Sequence, residues 1–325
     1  MAEQATGLEL TEQDGENTND LAEILAGLSR AQKTLSPKFF YDERGSQLFE
    51  QITELPEYYP TQTELAIMED NIDEIERLIG PQASIIEFGS GSSTKIRLLL
   101  KHAIDLAAYV PVDISRDHLL ASANVLAEEF PHIEVLPVAA DFTHPFELPN
   151  PRITPVRNIV YFPGSTIGNF TPAGAHALLE VMHTEAGEGG ALLIGVDLKK
   201  DPAVLERAYN DNAGITAQFN LNVLHRLNHE FGANFDTLRF RHIAFYNEEL
   251  GRVEMHLESS GEQRVTIAGQ QFLFRDGETI HTESSHKYTL EGFSNAAARA
   301  GFEVHTVWTD AQQYFSVQYC VRVTG

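Results

Sequence analysis

The sequence predicts an α/β fold, because short apolar runs with the length of buried strands alternate with helical stretches along the middle of the chain. These runs lie at roughly 83–88, 107–113, 133–138, 158–163 and 191–197. The first run ends in a turn of small residues that starts at Gly89, as at the beginning of ligand-binding α/β domains. Strands joined through helices form a mostly parallel sheet with right-handed crossovers.

The chain ahead of the first strand predicts a tail followed by helices. Residues 1–20 are acidic and poor in apolar side chains, so we expect them to be disordered. An amphipathic helix starts near Leu21. Apolar residues then recur at helical spacing until Gly80 and Pro81 stop the pattern, which predicts a helix that covers the sheet. These residues are Leu65, Met68, Ile72, Ile75 and Ile79.

The pattern changes after the fifth strand and returns near the carboxyl end. Between about 198 and 286, a helical stretch is followed by several β-type runs, which indicates an inserted second domain. A helix at 290–299 and two β-type runs, 302–308 and 314–321, then form a closing antiparallel pair. The predicted domains are 64–197 plus 287–325 for the parallel sheet, and 21–63 plus 198–286 for the second domain.

The turn after the first strand indicates a cofactor class. Segment 85–93 reads IIEFGSGSS, and Thr94 stands where a dinucleotide-binding fingerprint has its third glycine. Glu87 places a carboxylate where a pyrophosphate would lie, and repulsion there favours a ligand without phosphate. S-adenosylmethionine fits, because its ammonium and sulfonium groups are positive. A lone Gly-x-Gly is equally compatible with a plain surface turn, so this segment alone leaves both interpretations open.

Acidic residues at the next two strand ends favour the cofactor. Asp113 follows Gly89 by 24 residues, close to the spacing of about 20 residues for an acid that binds ribose hydroxyls. Asp141 ends the third strand beside the aromatic Phe142 and offers a carboxylate to an adenine amino group, although a single Asp there more often caps a helix. Ligands of open α/β sheets bind outside the carboxyl ends of the strands, so these acids predict one cofactor site.

Composition excludes several classes of protein. With 23 basic and 47 acidic residues, the net charge of −24 opposes binding to nucleic-acid phosphate or to an anionic membrane. A single cysteine, Cys320, provides neither a disulfide framework nor a cysteine metal site, and it indicates a reducing cytoplasm. The sequence contains no signal-peptide pattern and no long apolar run. We expect a cytoplasmic protein, monomeric because its surface is acidic.

Several polar segments carry a resemblance to a known family. They read FFYDERGS at 39–46, LPEYYPT at 55–61, FPGSTIGNF at 162–170, AYN at 208–210 and TESS at 282–285. Together with the glycine turn, they resemble the histidine Nα-methyltransferases of the ergothioneine pathway, from about residue 30 to the carboxyl end. The strings LPEYYPT and GSTIGN are long enough to be specific, whereas Gly-x-Gly alone is weak.

The resemblance implies a fold, an activity and a set of site residues. The family has a Rossmann-like class I methyltransferase sheet with a second α+β substrate-binding domain, and holds its substrate between the two. It methylates the α-amine of L-histidine three times, giving hercynine and S-adenosylhomocysteine. Carried over by motif, the cofactor residues are Tyr58, Gly89, Lys95, Asp113, Asp141 and Phe142. The substrate residues are Tyr41, Phe49, Asn169, Tyr209, Met255, Glu283 and Ser285.

The residue types suit these implied roles. Asn169 and Tyr209 are neutral donors for a carboxylate, and they add no positive charge beside a sulfonium. Without the surrounding string, Asn169 is more typical of a turn or helix cap. Glu283 and Ser285 lie two residues apart, so in an extended segment both face one side and can bind the two imidazole nitrogens. A solvated strand face would give the same pattern.

Methyl transfer to an amine needs a neutral nitrogen lone pair aligned with the S–CH₃ bond. The resemblance places Tyr41 near that nitrogen, directly or through water, as the catalytic residue. Aromatic neighbours such as Phe49 would face the increasingly methylated ammonium, where a cation–π contact contributes about 0.5–2 kcal/mol. Retention of the intermediates through all three steps is the expected consequence.

Other functions compete with this interpretation. Segment 284–288 departs from the family at its first and third residues, Ser284 and His286, although Glu283 and Ser285 on the other face are retained. A methyltransferase for another amino acid such as tryptophan would favour an apolar pocket without a carboxylate. A dinucleotide-dependent oxidoreductase is opposed by Glu87 and Thr94, and a non-catalytic S-adenosylmethionine-binding protein by the retained amine-site residues. The histidines lack metalloprotease spacing, so no metal is expected.

Overall fold

The computed structural model describes residues 8, 10–12, 20–91, 94–103 and 105–323. The α-helices among these residues are, in chain order, α1 (Asp20–Leu28), α2 (Glu43–Thr53), α3 (Tyr59–Asp70), α4 (Ile72–Ile79), α5 (Thr94–His102), α6 (Arg116–Glu129), α7 (Pro172–Ala186), α8 (Pro202–Tyr209), α9 (Ile215–Phe231) and α10 (Leu290–Arg299). The strands are β1 (Thr11–Glu12), β2 (Lys33–Thr34), β3 (Ala83–Phe88), β4 (Leu106–Asp113), β5 (Val138–Ala139), β6 (Arg157–Phe162), β7 (Ala191–Asp197), β8 (Phe240–Asn247), β9 (Arg252–Ser259), β10 (Gln263–Ile267), β11 (Gln270–Phe274), β12 (Thr279–His286), β13 (Phe302–Thr309) and β14 (Phe315–Arg322).

The chain divides into two compact units. Unit 1 comprises Met1–Gly15, Thr63–Leu198 and Tyr288–Gly325, and unit 2 comprises Glu16–Gln62 and Lys199–Lys287. None of the helices in the described part of the chain is long and apolar enough to cross a membrane.

Unit 1 is built on one mixed sheet with the strand order β1-β5-β4-β3-β6-β7-β14-β13. Every neighbouring pair from β1 to β7 is parallel, whereas β14 is antiparallel to both β7 and β13. The predicted α/β class and the closing antiparallel pair are therefore confirmed. The carboxyl ends of β3, β4 and β5 lie side by side at one edge of this sheet, as the argument from strand-end acids requires.

Helices cover both faces of the unit 1 sheet. Ile85 and Tyr109 belong to one buried cluster, while Ile86 and Val110 belong to another. Because successive side chains of a strand point to opposite faces, these two clusters lie on opposite sides of the sheet. A strand buried on both faces reads as a continuous apolar run, and this explains why the strands were visible in the sequence without alternation.

The single helix predicted ahead of the first strand is divided into two helices in the structure. Its apolar repeat runs through α3 and α4, which are interrupted at Asn71. The Asn71 side chain donates to the Ile67 carbonyl at 2.7 Å, and its backbone N–H donates to the Met68 carbonyl. Apolar residues keep their helical spacing across the break, because both helices pack on the same core.

Two other predictions need correction in detail. The third strand, predicted at 133–138, is the two-residue β5 with an isolated bridge from Val135 to Tyr109. Pro137 lies between them and has no N–H to continue the ladder. Disorder was predicted for residues 1–20, but Thr11 and Glu12 pair with β5 as β1. Apart from residues 8, 10–12 and 20, the predicted tail lies outside the described residues.

Unit 2 has an α+β arrangement around its own core. Strand order is β2-β12-β9-β8, with β12 parallel to β2 and antiparallel to β9, and β10 and β11 form a separate hairpin. Apolar residues of α1, α2, α8 and α9 pack with those of the sheet in one buried cluster, which includes Phe219, Leu224, Met255 and Leu257.

Candidate active site

The glycine turn of unit 1 lies directly after β3, beneath an aromatic ring. Gly89 adopts a φ of 71°, and its N–H donates to the Val112 carbonyl at 2.8 Å. A Cβ at Gly89 would be strained at this φ and would meet the Phe142 ring at 3.5 Å. Glycine therefore allows the turn to form beneath Phe142. Ser92 and Ser93 of the same motif lie outside the described residues, and α5 starts at Thr94.

Asp113 ends β4 beside this turn. Its Oδ1 accepts the Ser115 N–H at 2.9 Å, and the backbone of Gly91 also donates to its carboxylate. Burial raises the pKa of Asp113, although these hydrogen bonds oppose the shift. The structure thus brings the predicted ribose acid and the glycine turn into contact.

Asp141 and Phe142 follow β5 on the same side of the turn. Burial would raise the pKa of Asp141, but hydrogen bonds from the Thr143 hydroxyl at 2.6 Å and the Thr143 N–H outweigh it, so the pKa is lowered. This side chain is therefore a carboxylate at neutral pH. Phe142 packs on Phe88 and Phe162, with ring centroids 5.6 and 6.0 Å away. An acceptor lies next to an aromatic wall, as an adenine site requires.

Glu87 does not act as the sequence argument assumed. It is 3% exposed and accepts a 2.5 Å hydrogen bond from the Tyr109 hydroxyl. Burial raises the pKa of Glu87 to about 8, and the Tyr109 hydrogen bond only partly opposes that shift. Because burial favours the protonated form of the carboxyl group, which is turned towards Tyr109, its repulsion of a pyrophosphate is weaker than the sequence alone suggests.

Lys95 is held by a residue that the sequence analysis missed. Its ammonium pairs with Glu64 of α3, which is 1% exposed. The Glu64 carboxylate also accepts the Gly164 N–H at 2.9 Å. A Cβ on Gly195 of β7 would overlap Glu64 Oε1, so glycine is required there for the carboxylate to fit. No signal in a single sequence identifies Glu64, because it sits at a buried position of an otherwise ordinary helix.

Asn169 ends a short 3₁₀ helix, Thr166–Asn169, in the loop after β6. This loop is fixed to β7, since the Ser165 hydroxyl accepts the Asp197 N–H at 2.9 Å. Asn169 is partly buried and belongs to unit 1, whereas the other predicted substrate residues belong to unit 2.

The predicted aromatic residues of unit 2 form one cluster. Tyr41 is 38% exposed and makes edge contacts with Phe49 and Phe219, each 5.8 Å between centroids. Tyr58 lies 6.3 Å from Phe49 and 6.3 Å from Tyr209. Tyr58 was predicted to bind cofactor, but the structure places it among the predicted substrate residues. Phe219 is a further member that carried no motif.

A buried lysine connects two of the predicted substrate residues. Lys287 is 3% exposed, and its ammonium donates to Ser285 Oγ at 2.7 Å and to the Tyr209 hydroxyl oxygen at 3.2 Å. The sequence carried a signal for it: residues 283, 285 and 287 share one face of an extended segment.

Glu283 and Met255 lie opposite each other on this face of the sheet. Across β12 and β9, Glu283 pairs with Met255 while His281 pairs with His256, because a bulge at Thr282 shifts the register. The bulge sends His281 and Glu283 to opposite faces although they are two residues apart. Burial raises the pKa of Glu283 to about 7, with the Lys287 charge opposing the shift. The carboxyl group can therefore gain or lose a proton near neutrality.

The opposite face of the sheet carries a second polar cluster. Glu254, His256 and His281 have potential ligating atoms within 4.8 Å of one another. Arg252 binds the Glu254 carboxylate at 2.8 Å, and its positive charge opposes a divalent cation there. The His256 and His281 rings stack at 4.7 Å. We assign no metal to this cluster, and the expected absence of a metal stays a prediction.

A family model and two relatives indicate the family of this chain, and a solved structure shows its fold. The model of a family described as "Histidine-specific methyltransferase, SAM-dependent" matches residues 20–322. A histidine N-alpha-methyltransferase from Mycolicibacterium smegmatis is 40% identical over 92% of this chain and 94% of its own length. Ergothioneine biosynthesis protein 1 from Neurospora crassa is 34% identical over 87% of this chain and 32% of its own length. A solved S-adenosylmethionine-dependent methyltransferase from Clostridium acetobutylicum has the same fold, with a TM-score of 0.50 and 10% identity over 86% of this chain and 99% of that one.

Proposed function

Because the chain belongs to the histidine-specific, S-adenosylmethionine-dependent methyltransferases, we propose that it methylates the α-amine of L-histidine three times and forms hercynine for ergothioneine biosynthesis. The observation that carries this proposal is the relative with 40% identity over nearly the whole chain. The unit 2 cluster supports it, because a titratable carboxyl, a serine hydroxyl and a methionine line one face of β12 and β9. These groups suit a polar imidazole.

Unit 1 supplies the groups for the cofactor, which provides an electrophilic methyl group when bound. Asp113 would accept the ribose hydroxyls, and Asp141 the adenine amino group beside Phe142. The ammonium of Lys95 would donate to the methionine carboxylate while Glu64 orients it. The positions of Gly89 and Gly91 allow the backbone turn to approach this ligand closely.

Unit 2 supplies most of the predicted groups for histidine. Tyr209 would donate to the α-carboxylate, while Glu283 and Ser285 would bind the imidazole. The role of Asn169 as a carboxylate donor rests on its motif alone. The Tyr58 ring lies against Phe49 and Tyr209, so we propose that this predicted cofactor residue also borders the histidine site.

The amine must be neutral to attack the methyl group. In each of the first two transfers, the new N–CH₃ bond forms as the S–CH₃ bond breaks, and the resulting ammonium then releases a proton. The third transfer gives a quaternary ammonium. The partly exposed Tyr41 hydroxyl would orient the nitrogen and pass protons to water. The Tyr41 and Phe49 rings would hold the methylated cation by a cation–π contact of about 0.5–2 kcal/mol.

Mass spectrometry tests this function directly. Purified protein, S-adenosylmethionine and an equimolar mixture of amino acids are incubated, and histidine is expected to gain three methyl groups. Glu283→Ala should lose or redirect that gain, whereas Glu248→Ala, which removes an exposed carboxylate of the same unit, should keep it. Methylation of tryptophan or another amino acid by the wild type, or no methylation of histidine, would overturn the substrate assignment.

A monomeric state, a cytoplasmic location and no binding of nucleic acid or membrane remain proposals. They are supported by the net charge of −24, which opposes contact with nucleic-acid phosphate and anionic lipid and disfavours self-association. Light scattering coupled to size exclusion at physiological salt tests the first: a mass near 36.1 kDa is expected, and twice that mass would refute it.

A further inference from the structure

Asn220 is a fully buried asparagine of α9 to which no role has been assigned so far. We infer, resting on the proposed function, that Asn220 is a positioning residue: its amide holds the bulge at Thr282, which turns Glu283 towards the substrate histidine. Asn220 itself does not touch histidine and acts through the backbone of β12.

The bulge decides which face of β12 carries Glu283. Across β12 and β9, His281 pairs with His256. Glu283 is two residues further along β12, yet it pairs with Met255, which is only one residue away on β9. Side chains of a regular strand alternate, so without the bulge Glu283 would face the same side as His281. The position of Glu283 beside Met255 therefore depends on the bulge being held.

The Asn220 amide binds both strands at the bulge. Its Nδ2 donates to the His256 carbonyl of β9 at 3.0 Å, and because a carbonyl only accepts, this contact fixes which end of the amide is the nitrogen. Oδ1 then accepts from the buried Thr282 hydroxyl of β12 at 2.7 Å. The same hydroxyl lies 3.0 Å from the Met255 carbonyl oxygen. One amide thus joins β12 to β9 where their register shifts.

A third contact fixes the amide on β8. The second Nδ2 hydrogen of Asn220 is donated to His242 Nδ1 at 2.8 Å. His242 therefore carries its own hydrogen on Nε2, which donates to the Tyr209 carbonyl at the end of α8 at 2.9 Å. Burial lowers the pKa of His242, and this favours the neutral ring that the two contacts require. Both donors and the oxygen of Asn220 are used, so its side chain has one defined orientation.

Four variants separate the bulge from general damage to the core. Thr282→Val keeps the shape of the side chain and removes its hydroxyl, whereas Thr282→Ser keeps the hydroxyl. Asn220→Ala removes the amide. The matched control is Asn228→Ala, which removes an amide with two hydrogen bonds to the Phe235 backbone from a later turn of the same helix.

Dissociation constants for histidine are measured by calorimetry with S-adenosylhomocysteine present, at pH 8, above the pKa of about 7 of Glu283. We expect Thr282→Val and Asn220→Ala to weaken histidine binding about 10- to 100-fold, because the charge-assisted hydrogen bond from the imidazole to Glu283 is lost. Thr282→Ser and Asn228→Ala should stay within about threefold of the wild type.

Coupling to Glu283 separates positioning from a purely structural role. In a Glu283→Gln background, Thr282→Val should lower kcat/KM for histidine by about threefold or less, since the charged acceptor that the bulge holds is already gone. Damage elsewhere in the core would lower kcat/KM by the same factor in both backgrounds. In the Thr282→Val single variant, KM should rise while kcat falls less than about threefold, because binding is weakened in ground and transition states alike.

Binding of S-adenosylhomocysteine and cooperative unfolding in urea are the controls for folding of each variant. If Asn220→Ala does not fold, the comparison of Thr282→Val with Thr282→Ser decides. If the wild type methylates histidine but Thr282→Val binds it normally, or if its loss is undiminished in the Glu283→Gln background, the inference is overturned alone. If the wild type does not act on histidine, the proposed function fails and takes this inference with it.

Discussion

The buried carboxyl of Glu87 makes a quantitative prediction about stability. Glu87→Gln keeps the shape of the side chain and an oxygen that can accept the Tyr109 hydroxyl, but it removes the ionisable group. In the folded protein the pKa of Glu87 is raised by burial from 4.5 to about 8. Between those two values the folded state therefore holds a proton that the unfolded state has lost.

The sign and size of the pH dependence of stability follow from this difference in pKa. Because the native state binds the extra proton, the contribution of Glu87 to stability is present below pH 4.5 and is lost as the pH rises to about 8. Each pH unit in that window lowers the free energy of unfolding by about 1.4 kcal/mol. The full loss is about 5 kcal/mol above pH 8. Glutamine is neutral throughout, so the variant should be relatively more stable at pH 9 than at pH 5.

Urea unfolding at pH 5, 6, 7, 8 and 9 measures this prediction without ligand. The quantity to plot is the free energy of unfolding of Glu87→Gln minus that of the wild type, which cancels the other titrating groups. It should climb by more than about 3 kcal/mol across the series. Glu128→Gln removes an exposed carboxylate of α6 and should give a flat line. A flat line for Glu87→Gln would refute the assignment of a protonated, buried carboxyl.

Two further predictions concern the cofactor unit. Asp113→Asn should weaken binding of S-adenosylhomocysteine about 10- to 100-fold, measured by calorimetry, because a charged acceptor of ribose hydroxyls becomes a neutral one. Asp117→Asn, at an exposed position, should bind S-adenosylhomocysteine normally. Equal affinities of the two variants would contradict the ribose assignment. Gly195→Ala should destabilise the protein by about 1–3 kcal/mol in urea, since the new Cβ would overlap the Glu64 carboxylate. In a Glu64→Ala background the same substitution should cost clearly less, and an undiminished cost would show that the overlap is not its cause.

The sequence by itself determined the helices and strands whose pattern of apolar residues is strong. Strands such as β3 and β7 are apolar throughout because both faces of their sheet are covered, and that signal survives without any tertiary information. The sequence also predicted the acids at the ends of β4 and β5, Asp113 and Asp141, because strand ends are marked by the change from apolar to polar residues. Family strings predicted most of the unit 2 substrate residues. In the structure, ring contacts through Phe49 and Tyr58 connect Tyr41 to Tyr209, and Lys287 connects Tyr209 to Ser285.

Other features were decided only by tertiary structure. The helical repeat from 65 to 79 could not show the break at Asn71, because both helices bury the same apolar spacing. Position in the chain could not show that the pKa of Glu87 is raised, since the shift depends on burial and on Tyr109 of the neighbouring strand. Glu64, far from Lys95 and Gly164 in sequence, likewise gave no signal.

The sequence and the tertiary structure determine different features of the protein for a physical reason. Secondary structure and strand-end acids depend on local side-chain patterns, which one sequence contains in full. Protonation, ion pairing and side-chain hydrogen bonding depend on which distant groups are brought within a few ångströms and on how much water is excluded. The bulge at Thr282 shows the difference most clearly: alternation puts His281 and Glu283 on one face, and only the pairing of β12 with β9 turns them to opposite ones.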